Sequence, residues 1–196
     1  MKSQRRNAID SEPIPPPPLE VTDQGYSEAF AILGIDPGLQ ITGYGVIEVS
    51  SDAPKVCEAG VIRANDDTEA SDLAQRVRSL YDGIVEVIDQ FHPQAVAVEQ
   101  LYAHYEHPGT AILMGHARGV IFLAAAQRDL PVVSYNATRI KKTITGNGRA
   151  SKDQVQRTIQ RELGLAQIPD PPDVADALAV ALCHYYQLKM PKAITD

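Results

Sequence analysis

The order of apolar and polar positions divides the chain into alternating strands and helices. Continuous apolar runs at 31–35 and 95–98 predict strands covered on both faces, and each run ends in a carboxylate, Asp36 and Glu99. Residues 42–49 and 56–63 read as two more strands, joined through 38–41 and the turn-like 51–54, so that three antiparallel strands follow one another. Leu73, Val77, Leu80, Ile84 and Ile88 recur at helical spacing within 72–91 and predict an amphipathic helix with one buried face, stopped by His92-Pro93. Segment 110–126 is apolar on nearly every side and predicts a helix that needs cover all round. One side can lie on the sheet. Its small residues Gly115, Ala117 and Gly119 let a second subunit approach the other, so a homodimer interface is expected there, while His116 and Arg118 make it a poor membrane span. Residues 131–135 supply the last strand.

The C-terminal third is read as helical. Asn136 can cap a short helix carrying Lys141, which ends at the flexible turn 146–148. Ser151-Lys152-Asp153-Gln154 is a capping box, and the helix it starts turns Val155 and Ile159 inward and Lys152, Arg157 and Arg161 outward. A final helix runs from Pro171 or Pro172 to about Leu188 with Val174, Ala177, Leu178, Ala181, Leu182 and Tyr185 in its apolar stripe. Asp173 and Asp176 flank that stripe, about 60° apart on the helical wheel, and can point at one shared object. At the ends, 1–28 contains the proline run 15–18 with little to bury and is expected to be a disordered, partly polyproline tail; 29–190 is expected to be the folded domain and 191–196 a short C-terminal tail.

Composition narrows the class. Hydrophobic content of 44% beside 22% charged residues suits a soluble domain, and no apolar run reaches the ~20 residues of a membrane span. Cys57 and Cys183 show no Cys-x-x-Cys spacing, so neither a disulfide framework nor a zinc site is indicated, and without a transit peptide the cytoplasm is the expected compartment. A net charge of -7 speaks against nucleic acid until its distribution is considered. Residues 118–161 carry nine Lys/Arg against two Asp/Glu, whereas 31–117 carry four against thirteen. A basic stretch on an acidic body suits a protein that touches phosphates with one face and binds divalent cations with another.

An acid at the end of each of two strands, with an i, i+3 acid pair on a neighbouring helix, makes a plausible cage for divalent ions. Mg²⁺ prefers carboxylate and water oxygens, and two ions about 3.5–4 Å apart can activate a water and stabilise the leaving oxygen of a phosphodiester. Singly, each acid has a plainer role: Asp36 as a turn former, Asp173 and Asp176 as helix N-terminal acids.

Several motifs occur in one order: 32–38 (Ile-Leu-Gly-Ile-Asp-Pro-Gly), 42–47 (Thr-Gly-Tyr-Gly-Val-Ile), 98–100 (Val-Glu-Gln), 115–120 (Gly-His-Ala-Arg-Gly-Val) and 173–179 (Asp-Val-Ala-Asp-Ala-Leu-Ala). Over residues 31 to about 186 the chain resembles the RuvC-type Holliday-junction resolvases. The resemblance implies a ribonuclease H-like α/β fold with a central mixed five-stranded sheet flanked by helices. It also implies a homodimer making paired symmetric nicks in four-way junction DNA, with Mg²⁺ as cofactor, two per subunit, for which Mn²⁺ can substitute. Asp36, Glu99, Asp173 and Asp176 match the family's catalytic, metal-binding carboxylates; Lys141 and Lys152 match basic residues near its active site, and Arg149 lies between them on the chain. Tyr102 stands where the family usually has a phenylalanine implied to stack on junction bases. Gly38 is expected to keep the turn free of a side chain so that a phosphate backbone can approach Asp36, making Gly38→Val more harmful to cleavage than to folding. A branch-migration complex of the RuvA/RuvB type is an implied partner. Two rival readings are a non-catalytic junction-binding protein of the same fold and an actin-like nucleotide-binding kinase, which needs a second glycine-rich phosphate loop that the sequence does not show.

Overall fold

The computed structural model describes residues 21–22, 25–26, 30–50, 53–63, 72–100 and 108–189. Expectations for Tyr102 and for the tail residues before 21 and after 189 lie outside the described residues. Within the segment expected to lack structure, β1 (Val21–Thr22) pairs antiparallel with β2 (Gly25–Tyr26).

The main sheet has five strands: β3 (Phe30–Asp36), β4 (Ile41–Val49), β5 (Lys55–Arg63), β6 (Ala95–Glu99) and β7 (Val132–Tyr135), in the order β5-β4-β3-β6-β7. The first three are antiparallel, as the pattern of short connections predicts, and β6 and β7 join parallel to β3. Parallel neighbours need a long crossover, and a helix fills each: α1 (Leu73–Phe91) before β6 and α2 (Pro108–Ala126) before β7. Then come α3 (Ala137–Thr145), α4 (Lys152–Glu162) and α5 (Pro172–Lys189). Leu33, Ile35, Val96 and Val98 face α1 and α2, while Ile32, Ile47 and Ala97 face the side of α3, α4 and α5. The continuous apolar runs of β3 and β6 therefore follow from cover on both faces. Each fully buried Leu, Ile or Val there contributes about 1.5–3 kcal/mol.

Helices α5 and α2 differ in how fully they are buried. The sequence predicts one apolar stripe on α5, yet Ala175, Ala179, Val180, Cys183 and His184 are buried as well as the stripe. The helix lies flat on the sheet with α3 and α4 packed over it. Three glycines allow this depth: a Cβ on Gly34 would stand 2.3 Å from the Ala177 carbonyl oxygen, one on Gly43 2.1 Å from that of Asp173, and one on Gly45 2.6 Å from Leu178 Cδ2. These glycines form a lane in β3 and β4 along which the α5 backbone rests. Helix α2 shows the opposite. Ala117, Ile121, Ala124 and Ala125 are buried, but Ile112 is 61% and Leu123 51% exposed, with Leu113 and Phe122 also open, and a Cβ on Gly115 or Gly119 meets nothing. Among the described residues nothing covers the outer face of α2. By length and composition 109–126 is apolar enough to cross a membrane, but its inner face is part of the core.

The caps follow the sequence reading. Asn136 Oδ1 accepts from Arg139 N at 2.8 Å, and the Ser151–Gln154 box closes in both directions. His184 is buried with Nδ1 2.7 Å from the Tyr135 hydroxyl and Nε2 without a partner. Burial lowers its pKa to about 4, which keeps the ring neutral at neutral pH.

Candidate active site

Strands β3 and β6 run in register with Ile35 opposite Val98, so the next residue on each, Asp36 and Glu99, end level with one another. Alternation along the strands puts both side chains on the face of Ile32, Gly34 and Ala97, the face that carries α5. On the other side, Asp36 pairs with Gly43 of β4, and the missing side chain at Gly43 admits the Asp173 carbonyl at the start of α5. The glycine lane therefore sets the first turn of α5 over the end of β3, and the i, i+3 spacing brings Asp176 to the same place.

The electrostatics make Asp36 the centre of the group. Its pKa is raised to about 8, first by burial and then by Glu99, Asp176 and Asp173 in turn, with Lys152 opposing. Glu99 is also raised by burial and by Asp176, while Lys141 and Lys152 oppose. Asp36 thus feels all three of the other acids, whereas of the two helix acids only Asp176 raises Glu99.

The two lysines approach from α3 and α4. Glu99, Lys141, Lys152 and Asp176 line one cleft of about 220 Å³, with Ala137 and Val155 at its wall. Lys152 Nζ stands 2.8 Å from Asp176 Oδ2, and that bond raises the lysine pKa further. Ser151 places Lys152 in the first turn of α4, so the capping box read from sequence also aims a cation at the acids. Arg149 is exposed on the turn joining the lysine-bearing helices and does not line the cleft.

Two supporting residues lie in the quoted motifs 115–120 and 42–47, but the sequence assigns neither a role. Arg118 of α2 donates to the backbone carbonyl of Glu99 and, at 3.1 Å, to Ser134 Oγ, tying the end of β6 to β7. Thr42 is fully buried behind the turn after Asp36, where Gly38 N donates to Thr42 Oγ1 at 3.2 Å and the hydroxyl donates back to the Gly38 carbonyl. A buried threonine between strand residues is the signal, but its partner depends on the turn geometry.

The reason for Gly38 is corrected by the same turn. A Cβ at this position would lie 2.1 Å from the Ile41 carbonyl oxygen, so the turn itself excludes a side chain whether or not DNA approaches. Gly38→Val is therefore expected to lower the melting temperature together with cleavage, by about 5 °C or more for a displacement costing 1–3 kcal/mol. Thermal denaturation monitored by circular dichroism measures this, and an unchanged melting temperature contradicts it.

Oxygen-only donors buried at mutual repulsion fit a hard divalent cation. Carboxylates suit Mg²⁺ or Mn²⁺ better than soft or nitrogen-preferring metals, and the raised pKa of Asp36 is the signature of an acid cluster short of positive charge. The fit rests on chemistry and electrostatics. Among the described residues, no three His, Cys, Asp or Glu side chains converge at metal-ligand spacing, and Asp176 is turned to Lys152.

A family model described as Crossover junction endodeoxyribonuclease RuvC matches residues 32–184. A relative of that name in Rhodopirellula baltica is 49% identical over 165 residues, covering 83% of this chain and 90% of its own. Another in Hydrogenovibrio crunogenus is 45% identical over 153 residues, covering 78% and 86%. Among solved structures, T. thermophilus RuvC in complex with Holliday junction substrate superposes with a TM-score of 0.75 at 31% identity, covering 81% of this chain and 94% of that one. The yeast mitochondrial Holliday junction resolvase Ydc2 shares the fold, with a TM-score of 0.55 at 13% identity over 81% of each chain. The mixed five-stranded sheet with helices on both faces is thus the ribonuclease H-like fold expected from the motifs. Matched over residues 32–184, from β3 to α5, the chain belongs to the RuvC family of crossover junction endodeoxyribonucleases.

Proposed function

We propose that this chain is a divalent-metal-dependent endonuclease that resolves four-way DNA junctions by paired symmetric nicks. The observation that carries the reading is the placement of Asp36, level with Glu99 on adjacent parallel strands and within the electrostatic reach of Asp173 and Asp176 on α5. These four acids would hold the divalent cations, two Mg²⁺ per subunit with Mn²⁺ as a substitute. Bound there, the cation supplies Lewis acidity toward the scissile phosphodiester and its attacking water. Lys141 and Lys152 neutralise phosphate charge from the α3 and α4 side, and Asp176 holds Lys152 in place. Arg149 contacts the flanking backbone from the exposed turn, the Gly38 turn leaves room for the strand beside Asp36, and Tyr102 stacks on junction bases.

The working unit is a homodimer joined through the open face of α2, giving two sites and two nicks, and a branch-migration complex of the RuvA/RuvB type delivers the junction. The setting is cytoplasmic. Strand mapping on a synthetic four-way junction in Mg²⁺ tests the reading. Symmetric nicks on opposed strands with ends that ligase can join are expected. Random nicking of linear duplex contradicts junction selectivity, and binding without cleavage in both Mg²⁺ and Mn²⁺ supports the non-catalytic alternative.

A further inference from the structure

We infer that Arg76 is a phosphate-binding residue of the same site, holding the substrate strand on the rim opposite Lys141 and Lys152; the inference rests on the junction-cleaving reading above. A second groove, of about 470 Å³, reaches the acids from the other side. Gly38 and Gln40 of the turn after Asp36, Thr110 and Leu113 at the start of α2, Asp173 and Arg76 line it. Arg76 is the one cation among the described lining residues and Asp173 the one acid. The acids thus lie between two openings, one carrying Lys141 and Lys152, the other Arg76.

Among the described residues the guanidinium has no ion-pair partner. A helical arginine ordinarily meets an acid three or four positions away. At i-4, Asp72 is occupied as the N-cap of α1, its Oδ1 accepting from Gln75 N at 2.8 Å. At i+3 and i+4 stand Ser79 and Leu80. Among the described residues no carboxylate pairs with Arg76. Two residues further on, Arg78 shows the ordinary outcome, with Nε 3.5 Å from Asp82 Oδ2 on the exposed side. Residues 31–117 are strongly acidic, with thirteen Asp/Glu to four Lys/Arg, yet Arg76 is half-buried with no carboxylate partner among the described residues, in a groove that ends at Asp173. A planar, permanently charged fork in that position suits two phosphate oxygens. A strand crossing Asp36 is then gripped on both sides of the cut, which a single cluster of lysines on one rim cannot do.

Salt-dependent binding of a synthetic four-way junction tests this, with every variant built on Asp36→Asn so that the DNA is not cut. Arg76→Met keeps the apolar stem and removes the charge; Arg76→Lys keeps a point charge; Arg78→Gln removes a charge from the same helix. Relative to the Asp36→Asn parent, Arg76→Met is expected to bind about five- to tenfold more weakly at physiological salt. Its plot of log affinity against log salt should flatten by about one unit, the slope lost with one phosphate contact. Arg76→Lys restores most of the slope, and Arg78→Gln leaves both quantities at the parental value. An unchanged slope for Arg76→Met, or an equal loss for Arg78→Gln, overturns the role of Arg76 while the junction-binding reading stands. A parent that does not bind the junction overturns both.

Discussion

Asp36→Asn should abolish cleavage and, in the absence of metal, make the protein more stable. In the folded chain the Asp36 pKa is about 8, against an ordinary value of 3.8, so the native state holds a proton on this group that the unfolded chain has released. Below about pH 4 both states are protonated and the group is neutral in its effect. As pH rises from 4 to 8 the native state binds more protons than the unfolded state, and the slope of stability with pH from this group is negative. The wild-type carboxylate therefore destabilises the metal-free fold increasingly across that window. An asparagine keeps the shape and removes the ionisation. Its melting temperature without metal should exceed that of the wild type by about 5 °C or more at pH 7.5, and the gain should vanish near pH 4. Mg²⁺ should reverse the order, because it stabilises the wild type by mass action and has lost a ligand in the variant. Cleavage should fall on the order of 10³-fold, as for removal of a principal electrostatic group. Differential scanning calorimetry across pH, with and without Mg²⁺, and junction cleavage by both proteins read these effects. A variant that cleaves normally, or one less stable than wild type at pH 7.5 without metal, refutes the assignment.

The trade between stability and chemistry at Asp36 also marks how far the sequence could be read. Apolar runs ending in Asp36 and Glu99 predict two buried strands that deliver acids, and their level placement follows once β3 and β6 pair in parallel. The capping residues Asn136 and Ser151 carry their own geometry, so α3 and α4 start where expected. What could not be read depends on neighbours distant in sequence. Gly34, Gly43 and Gly45 are visible as motif letters, but their purpose, letting the α5 backbone lie on the sheet, needs the helix in place. The burial of α5 on nearly all sides goes beyond the single stripe read from that helix alone, because periodicity tells which residues are apolar and not which neighbour arrives; the open outer face of α2 is where the sequence leaves room for a second subunit. Gly38 was assigned to phosphate approach for the same reason: the Ile41 carbonyl that excludes its side chain comes from the closed turn. Arg118 and Arg76 are ordinary surface-type arginines in the sequence, and only the fold shows one bonded to the Glu99 backbone and the other facing the acid groove.

Glutamates in place of Ile112 and Leu123 should convert the proposed dimer, with its paired nicks, into a folded monomer that makes single ones. Both side chains are more than half exposed in the protomer, so the substitutions remove almost no core packing and should leave the melting temperature of the protomer within about 2 °C. In a two-fold interface each change appears twice, placing four carboxylates in an apolar contact. Burying unpaired charge costs several kcal/mol per ion, and even ~4 kcal/mol in total weakens association about a thousandfold. Gly115 and Gly119 lie exposed on the same helix with room for a Cβ, so the pairing of two α2 helices through this face brings backbones close and leaves no space for the new carboxylates to turn away. The named acids and lysines of one site all come from one chain, so single nicks are expected to survive loss of the partner. A supercoiled plasmid with an extruded cruciform separates the outcomes: paired nicks give linear product and unpaired nicks give open circles. Sedimentation should show a monomer, and open circles should replace linear DNA. A variant that still sediments as a dimer, or a monomer that still linearises the plasmid in one binding event, removes α2 as the joint that couples the two cuts.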